Sequence, residues 1–184
     1  MVDTRLATAK DIDGILALQA LNLFVNLSED ARKEGFVTTP FTAAQIMELL
    51  AEDGVFVAAE GHHIVGYAYA ATWSWFSQYP IFEHMISRLP TQTFRGTALT
   101  NDNSFQYGPV CIDHALRGTD AFPRLFATLS QCMHARYPIG GTFINKANIR
   151  SMKAHTQKLN FKVFDEFEYN GQQYFGLAFC TEDK

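Results

Sequence analysis

The segment from residue 110 to 126 has the residue types and spacing of a turn that binds an anion. A predicted strand ends near Ile112, a short connection with Arg117 and Gly118 follows, and a helix begins near Ala121. The first N–H groups of a helix lack intrahelical partners and carry a partial positive charge, which makes such a turn a natural seat for a pyrophosphate. An ordinary strand-to-helix loop with its arginine in solvent has the same pattern, so both interpretations stand at this point.

A second segment, residues 148 to 161, runs in the order strand, asparagine, helix, K-L-N-F, strand. This order resembles the GNAT superfamily of acyl-CoA-dependent N-acyltransferases, whose members carry N-x-x-A-x-x-x-Y-x-K-x-G-F-like patterns at this point. The matching residues here are Asn148, Ser151, Lys158 and Phe161. The turn at Arg117 and Gly118 lies upstream, where the superfamily has its R-G-x-G-x-G/A pyrophosphate loop. The element order also matches over nearly the full chain, so the resemblance implies the fold but not the acceptor.

The resemblance implies how acetyl-CoA, as the co-substrate, would be held. The pantetheine arm would lie like an added strand beside the end of the 105–112 strand, and the N–H groups of the turn would face the pyrophosphate. The implied cofactor-binding residues are Cys111, Ile112, Asp113, Arg117, Gly118, Thr119, Asp120, Ala121, Asn148 and Ser151. No metal ligands are expected, because the adjacent His62 and His63 of a predicted hairpin would point to opposite faces.

The resemblance also implies direct transfer of the acetyl group to an amine, with two candidate catalytic residues. His155 stands where the superfamily has a Tyr that protonates the departing CoA thiolate, and a histidine pKa near ~6.5 suits acid–base work. A helix histidine packed on the sheet would give the same pattern. Tyr107, on the 105–112 strand, could position a water, and an N–H near Ile112 would stabilise the oxyanion.

The general base is the least defined part of this expectation. Many GNAT proteins use a Glu on the fourth strand, but residues 104–110 contain no carboxylate. Gln106 could position a water there, although it is not a base. Glu83, His84 and Asp113 stay as alternatives, and each is also explained as a solvated surface residue.

Three residues besides His155 depart from the superfamily pattern. Asp120 stands where the loop has its first essential Gly, and Phe122 where Gly or Ala is usual. Glycine lets the backbone approach phosphate oxygens, and a carboxylate ~4 Å from a pyrophosphate is repelled by about 1 kcal/mol even in water. An acidic residue in the first turn also stabilises a helix, which explains Asp120 without a ligand. Asn160 replaces a Gly after the last helix, and Asn tolerates the left-handed conformation.

These departures keep other functions open. One is a binding or regulatory protein that has the GNAT fold with weakened or lost acetyl-CoA chemistry. Another is a different α/β enzyme that shares only the element order and would lack a splayed fourth and fifth strand. A nucleophilic Cys111, with His114 or His155 as its base, would imply an acyl-enzyme, whereas a buried free Cys behaves as a small hydrophobe.

The elements that position these residues follow from capping and turn signals. Thr8-Ala-Lys-Asp11 is a capping box that begins a helix after an opening strand at residues 4–7, and Thr42 begins a second helix. Two hairpins are predicted, one from residues 55–59 and 64–75 and one from residues 162–169 and 172–180 around the turn signal Asn170-Gly171. Residues 76–103 are the least regular stretch.

The remaining elements complete an α/β (α+β) pattern. The helix after Ala121 is predicted to end at Pro138 to Gly141, before a short strand at residues 142–144 and a helix at residues 149–158. We expect one GNAT-like domain over residues 1–184. Its central mixed, mostly antiparallel sheet would have about seven strands and about four flanking helices.

An aromatic-rich stretch follows the first hairpin turn. If its strand is regular, one face carries Tyr67, Tyr69, Trp73 and Trp75. Core packing explains part of this pattern. Together with residues 76–103 and the loop from Phe36 to Phe41, the stretch could also wall a pocket for an apolar or cationic acceptor.

Composition excludes several classes of protein. The chain has 184 residues, of which 47% are hydrophobic, and a net charge of −4, which argues against broad nucleic-acid binding. No apolar run approaches the ~20 residues of a membrane span, the start has no apolar signal region, and three cysteines without a CxxC favour a reducing cytoplasm. We therefore expect a cytoplasmic N-acetyltransferase that moves acetyl from acetyl-CoA to a small-molecule amine, with homodimer formation left open.

Overall fold

The computed structural model describes residues 2–182. Its strands are β1 (Asp3–Leu6), β2 (Val55–Glu60), β3 (His63–Ala71), β4 (Thr93–Phe94), β5 (Thr97–Ala98), β6 (Ser104–Ile112), β7 (Ile139–Asn145), β8 (Lys162–Tyr169) and β9 (Gln172–Cys180). Seven of them form one sheet in the order β1-β2-β3-β6-β7-β9-β8, and β4 pairs with β5 separately. The pair β6–β7 is parallel, whereas β1–β2, β2–β3, β7–β9 and β8–β9 are antiparallel. The predicted fold class is therefore confirmed.

Seven α-helices accompany the sheet in the described part of the chain. They are α1 (Ile12–Asn22), α2 (Glu29–Arg32), α3 (Ala43–Ala51), α4 (Trp73–Phe76), α5 (Pro80–Arg88), α6 (Ala121–His134) and α7 (Ile149–Lys153). Only α1, α3, α5 and α6 have nine or more residues. The prediction of about four helices therefore agrees with the number of long helices. The short helices α2, α4 and α7 bring the total to seven. Within residues 2–182, no helix is both long and apolar enough to cross a membrane.

The chain forms two compact units. The first contains the residues up to Ala70 together with Gly108–Ser130, and the second contains Ala71–Tyr107 together with the residues from Gln131 onward. The divisions within β6 and within α6 mean that both elements contribute to both units.

The first unit contains two helix starts that local sequence specifies. The backbone N–H of Thr8 donates to the Asp11 carboxylate at 2.7 Å, and both Arg5 terminal nitrogens donate to it at 2.8 Å. These bonds, the Arg5 guanidinium first among them, lower the pKa of Asp11 to about 2. Thr42 and Gln45 form a second capping box at the start of α3. Both predicted helix starts are confirmed.

In this unit the rings of Tyr67 and Tyr69 share one face of β3, with their centroids 5.1 Å apart. Phe41 packs on the Tyr69 ring at 4.9 Å. The Gln19 side chain holds the Phe41 backbone through two hydrogen bonds of 2.9 Å, one in each direction. The predicted aromatic face is thus present in its first half.

The prediction that Trp73 and Trp75 continue the aromatic face of β3 is wrong. Strand β3 ends at Ala71, and Thr72 begins helix α4 because its hydroxyl accepts the Trp75 N–H at 3.2 Å. Trp73 and Trp75 therefore lie on a helix of the second unit. The Trp73 ring is buried, and its indole N–H donates to the Ser104 hydroxyl at 3.0 Å.

The predicted helix end at residues 138–141 is also wrong, because β7 begins at Ile139 and includes both glycines. A Cβ at Gly140 would overlap the Phe179 ring and lie 2.9 Å from Cζ of Phe105. A Cβ at Gly141 would lie 3.0 Å from Cζ2 of Trp73. These glycines are needed because aromatic rings cover both faces of the strand there.

The hairpin of β8 and β9 follows the sequence closely. Its turn residues Asn170 and Gly171 have φ values of 48° and 72°, as a type I′ turn requires. The predicted strand limits and turn are therefore confirmed.

We expect Gly140→Ala to destabilise the protein by about 2 kcal/mol, because the new methyl group overlaps a ring that cannot move away. The Phe179 ring is stacked on Phe161 with centroids 4.4 Å apart. Urea denaturation checks the value, with Gly141→Ala as the milder comparison at about 1 kcal/mol or less. Equal stability of the Gly140→Ala variant and the wild type would contradict this account of β7.

Candidate functional site

In the first unit, the end of β6 is fastened to β3 and to its own turn. The Asp113 N–H donates to the Val65 carbonyl at 2.8 Å, and the Asp113 carboxylate accepts the Ala115 N–H at 2.9 Å. Asp113 thereby begins a single 3-10 turn, His114–Leu116. This carboxylate has a structural role at a turn, which weakens the expectation that it is the general base.

Arg117 holds three parts of the first unit together. Its guanidinium donates to the Ile112 carbonyl at 3.1 Å, to the Glu34 carbonyl at 2.6 Å and to the Asn22 side-chain oxygen at 2.5 Å. One cation thus connects three segments by hydrogen bonds: the end of β6, the end of α1 and the residues after α2. The side chain is partly buried and donates to three acceptors of its own unit, so its contribution is to fix the shape of the turn.

Several of the expected pyrophosphate donors are already bonded inside the turn. The N–H groups of Arg117, Thr119 and Ala121 donate to the His114 carbonyl, the Leu116 carbonyl and the Thr119 hydroxyl, each at 3.2 Å. Pro123, the third residue of α6, has no N–H to offer. These bonds are at the long end of the normal range, so phosphate oxygens could replace them at low cost.

Asp120 precedes the first residue of α6, and its carbonyl accepts the Arg124 N–H at 3.0 Å. An exposed carboxylate at this position stabilises the helix through its partial positive charge. Gly118 has a φ of 94°, which favours glycine, and no atom beyond its chain neighbours lies within 4 Å of the position that a Cβ would take. The turn therefore contains Gly118, which lets a phosphate approach the backbone, and Asp120, whose carboxylate would repel a phosphate.

Cys111 and Ile112 close the strand with buried side chains. Burial raises the pKa of the Cys111 thiol to about 12. At neutral pH this residue is a thiol in an apolar setting, which does not support the acyl-enzyme alternative. The Ile112 side chain occupies the space beside Gly66 of β3, where a Cβ would lie 2.7 Å from Cδ1.

In the second unit, Asn148 and Ser151 form the start of α7. The Asn148 side-chain oxygen accepts the Ser151 N–H at 3.2 Å, and Asn148 is buried. After Lys153 the helix continues as one π-helical turn, Ala154–Lys158. Asn160 then has a φ of 58°, which confirms the expected left-handed residue in place of glycine.

His155, in the π-helical turn, is fully buried. Its Nδ1 lies 2.8 Å from the Ser151 carbonyl oxygen. Because a carbonyl only accepts, Nδ1 carries the proton of the neutral ring and Nε2 carries none. Burial lowers the pKa of His155 to about 4, so the ring stays neutral at pH 7. A neutral ring in this tautomer has no Nε2 proton to give to a thiolate.

Tyr107 lies beside His155, with their ring centroids 5.7 Å apart, and Phe161 and Phe179 complete the cluster at 5.5 and 5.7 Å from the tyrosine ring. Burial raises the pKa of Tyr107 far above its ordinary value. The structure therefore brings both expected catalytic residues together in one unit and holds both of them neutral.

The other base candidates of the second unit lie elsewhere. Glu83 is exposed on α5, and the His84 ring packs against Phe167 and Tyr169 of β8 at 5.6 and 5.4 Å. Within residues 2–182, no group of three or more His, Cys, Asp or Glu residues is arranged to hold a metal ion.

The sequence alone underestimates the importance of Gln106, because it indicates only a residue that could position a water. It is 2% exposed, and its side-chain N–H donates to the Tyr107 carbonyl at 2.7 Å. In the described part of the chain, no donor reaches its side-chain oxygen. The sequence did offer one signal for its importance. Gln106 lies on the strand where the resemblance implies a carboxylate.

Gln106 also marks the end of a hydrogen-bonded ladder. Within the second unit, β6 and β7 are parallel and in register over Ser104–Gln106 and Ile139–Gly141.

Comparison with known proteins shows which fold this is. An N-acetyltransferase from Staphylococcus aureus Mu50 has a TM-score of 0.63 and 18% identity, with 99% of each chain covered. The protein yncA from Salmonella typhimurium, solved with its cofactor acetyl-CoA, has a TM-score of 0.63 and 15% identity over 100% of this chain and 95% of its own. A ribosomal-protein-alanine N-acetyltransferase from Brucella melitensis has a TM-score of 0.61 and 17% identity over 97% and 99%.

The likeness is structural rather than sequential. No protein-family model matches the chain, and no curated protein matches it in sequence. At these identities the solved structures establish the fold, and the chemistry has to be argued from the residues themselves.

We expect Arg117→Lys to destabilise the protein by about 2 kcal/mol, because one ammonium cannot replace a guanidinium with three separate acceptors. Urea denaturation measures the loss, and Arg124→Lys on the exposed side of α6 is the matched control. A loss no larger than that of the control would show that the three hydrogen bonds do not stabilise the first unit.

We expect His155 to make the protein less stable in acid. The unfolded chain protonates this ring below its ordinary pKa of 6.5, whereas the folded ring resists protonation down to about 4. Its contribution is therefore complete above pH 6.5 and falls by about 3 kcal/mol as the pH approaches 4. Urea denaturation at pH 7 and pH 4.5 checks this. The His155→Phe variant should lose that part of the pH dependence, whereas the exposed-site variant His62→Phe should keep it.

Proposed function

Because the chain has the fold of the GNAT N-acetyltransferases, we propose that it transfers an acetyl group from acetyl-CoA to an amine of a small molecule. The observation that carries the proposal is the parallel pairing of β6 and β7 over Ser104–Gln106 and Ile139–Gly141, within a sheet whose order matches the GNAT N-acetyltransferases in fold. A pantetheine arm binds like a strand and needs backbone groups of this kind. Bound acetyl-CoA supplies the acetyl group as a thioester.

The residues of the first unit fit the CoA end of this co-substrate in part. We propose that backbone groups of Cys111, Ile112 and Asp113 bind the pantetheine arm and that the turn from Arg117 to Ala121 binds the pyrophosphate. The Asp113 N–H donates to the Val65 carbonyl and the Asp113 carbonyl accepts the Leu116 N–H at 3.0 Å, so only a second lone pair of that carbonyl is left to contribute. The Arg117 clamp supports the proposal because it fixes the turn before any ligand arrives.

The residues of the second unit would serve the acetyl end. Asn148 and Ser151 orient the helix that carries His155, and the Ser151 carbonyl fixes the tautomer of that ring. Since Tyr107 and His155 are neutral and buried, their proposed role is to exclude water and to orient the reacting groups. Proton donation by His155, which the resemblance implies, would first require an imidazolium that the surroundings disfavour.

The acceptor is the least constrained part of the proposal. The structural neighbour from Brucella melitensis is named for an alanine of a ribosomal protein, so a protein acceptor is the competing class. We favour a small molecule as the acceptor, and we note that the rings of Phe41, Tyr67 and Tyr69 pack together in the buried core of the first unit. The proposed location is the cytoplasm, where the free cysteines Cys111, Cys132 and Cys180 stay reduced.

A binding or regulatory protein without transferase activity is the second candidate. Two observations favour it: three expected pyrophosphate donors are bonded inside the turn, and Asp120 adds a negative charge beside them. In that case the chain would have the GNAT fold, but the turn from Arg117 to Ala121 would not bind a pyrophosphate.

Calorimetric titration with acetyl-CoA at low and moderate salt separates the two candidates. We expect micromolar binding, and about fivefold tighter binding by Asp120→Gly because a repulsion of about 1 kcal/mol is removed. Asp102→Gly, an exposed Asp in a turn of the second unit, is the matched control and should bind like the wild type. No binding at millimolar acetyl-CoA by any of the three proteins would favour the non-catalytic candidate.

A further inference from the structure

The side chain of Gln106 has a fixed orientation. A carbonyl oxygen can only accept, so the nitrogen of the amide must face the Tyr107 carbonyl, which it reaches at 2.7 Å. Rotating the amide by 180° would place two oxygens against each other. The side-chain oxygen Oε1 therefore points away from Tyr107 with its lone pairs available.

This oxygen is an unsatisfied acceptor inside the second unit. Gln106 is 2% exposed, and no donor within residues 2–182 reaches Oε1. Buried polar atoms almost always have a partner, and leaving one without a partner is costly. The missing partner must be a hydrogen-bond donor, because an amide oxygen cannot itself donate.

The surroundings of Gln106 in its unit are neutral. It is the last residue of β6 in register with β7, opposite Gly141, which has no side chain. On the same strand face, the Ser104 hydroxyl is the acceptor of the Trp73 indole N–H. The carboxylates of β8, which is separated from β6 by β7 and β9, pair with cations: Asp165 with Arg88 and Glu166 with Lys146.

We infer that Oε1 of Gln106 accepts an N–H of the attacking amine, and that the acceptor is a weakly basic amine such as an arylamine or a hydrazide. This inference rests on the proposed function and names the substrate class for it. An N–H donor satisfies the orphan oxygen, and the hydrogen bond leaves the nitrogen lone pair free to react.

A weakly basic amine fits this position because the Gln106 oxygen is an uncharged acceptor. An alkylamine with a pKa like that of Lys is protonated in all but about one molecule in 2,500 at pH 7. To react it would have to lose a proton to a base, or bury an ammonium ion next to an uncharged amide. An arylamine or hydrazide arrives already neutral and needs neither.

The reaction then balances without a protein base. The amine nitrogen forms a bond to the thioester carbonyl carbon, and the bond between that carbon and sulfur breaks. The sulfur leaves with the electron pair of the broken bond, and the proton lost by the nitrogen ends on that sulfur, directly or through water. The products are the N-acetylated amine and the free thiol of CoA.

The test compares aniline, benzoic hydrazide and butylamine as acceptors at pH 7. We expect kcat/KM for the two weak bases to exceed that for butylamine by about a hundredfold or more, since so little butylamine is neutral. Gln106→Leu should lower kcat/KM for the weak bases by about tenfold, with acetyl-CoA affinity unchanged. Gln106→Met, of similar volume, repeats the test if the leucine variant folds poorly, and Gln173→Leu on the exposed part of β9 is the matched control.

Two results would overturn the inference while leaving the proposed function intact. One is faster acetylation of butylamine than of the weak bases, and the other is a Gln106→Leu rate equal to that of Gln173→Leu. If acetyl-CoA neither binds nor turns over with any amine, the proposed function fails and this inference fails with it.

A direct measurement is available without turnover. The side-chain amide resonances of Gln106, assigned by their loss in Gln106→Leu, should shift when aniline is added to the protein with CoA in place of acetyl-CoA. A shift that saturates with aniline supports the hydrogen bond. Unchanged resonances at saturating aniline would show that the partner of Oε1 is water and would overturn the inference.

Discussion

Strand β6 has to satisfy its backbone hydrogen-bonding groups in different ways along its length, and the candidate site is arranged around this constraint. Within the second unit, Ser104–Gln106 pair with β7. Within the first unit, the residue that follows the strand, Asp113, donates to β3. A buried peptide group without a partner is costly, so a strand that changes partners needs a hydrogen-bonding partner for each of these groups. Gln106, whose side-chain oxygen has no donor among the described residues, is the last residue of β6 in register with β7.

The two units contribute different kinds of chemistry to that strand. In the first unit a single cation, Arg117, uses its hydrogen bonds to shape a turn. In the second unit Gln106, Tyr107 and His155 are buried and uncharged, and the fixed tautomer of His155 follows from one carbonyl. Neutral groups orient a reactant without attracting ions from solvent, so selectivity would depend on hydrogen-bond direction rather than on charge.

Local signals predicted much of the fold, because capping boxes and the Asn170-Gly171 turn act through neighbouring residues. The errors arose where distant residues decide. Thr72 ends β3 by capping α4, and Gly140 belongs to a strand because the ring of Phe179 covers it. For the site, sequence could propose Tyr107 and His155. It could not show that burial keeps them neutral, or that Arg117 bonds to Asn22 and Glu34, since these facts depend on residues far apart in the chain.

The position of β8 at the end of the strand order bears on how the protein behaves at high concentration. An edge strand of eight residues offers unpaired backbone groups to any other extended chain, and such edges promote aggregation. Here Lys162, Glu166 and Glu168 are exposed and charged, Asp165 pairs with Arg88, and the register with β9 shifts between Val163 and Asp165. A second strand added there would have to accommodate both the charges and the irregular register. These features disfavour the intermolecular pairing that leads to fibres.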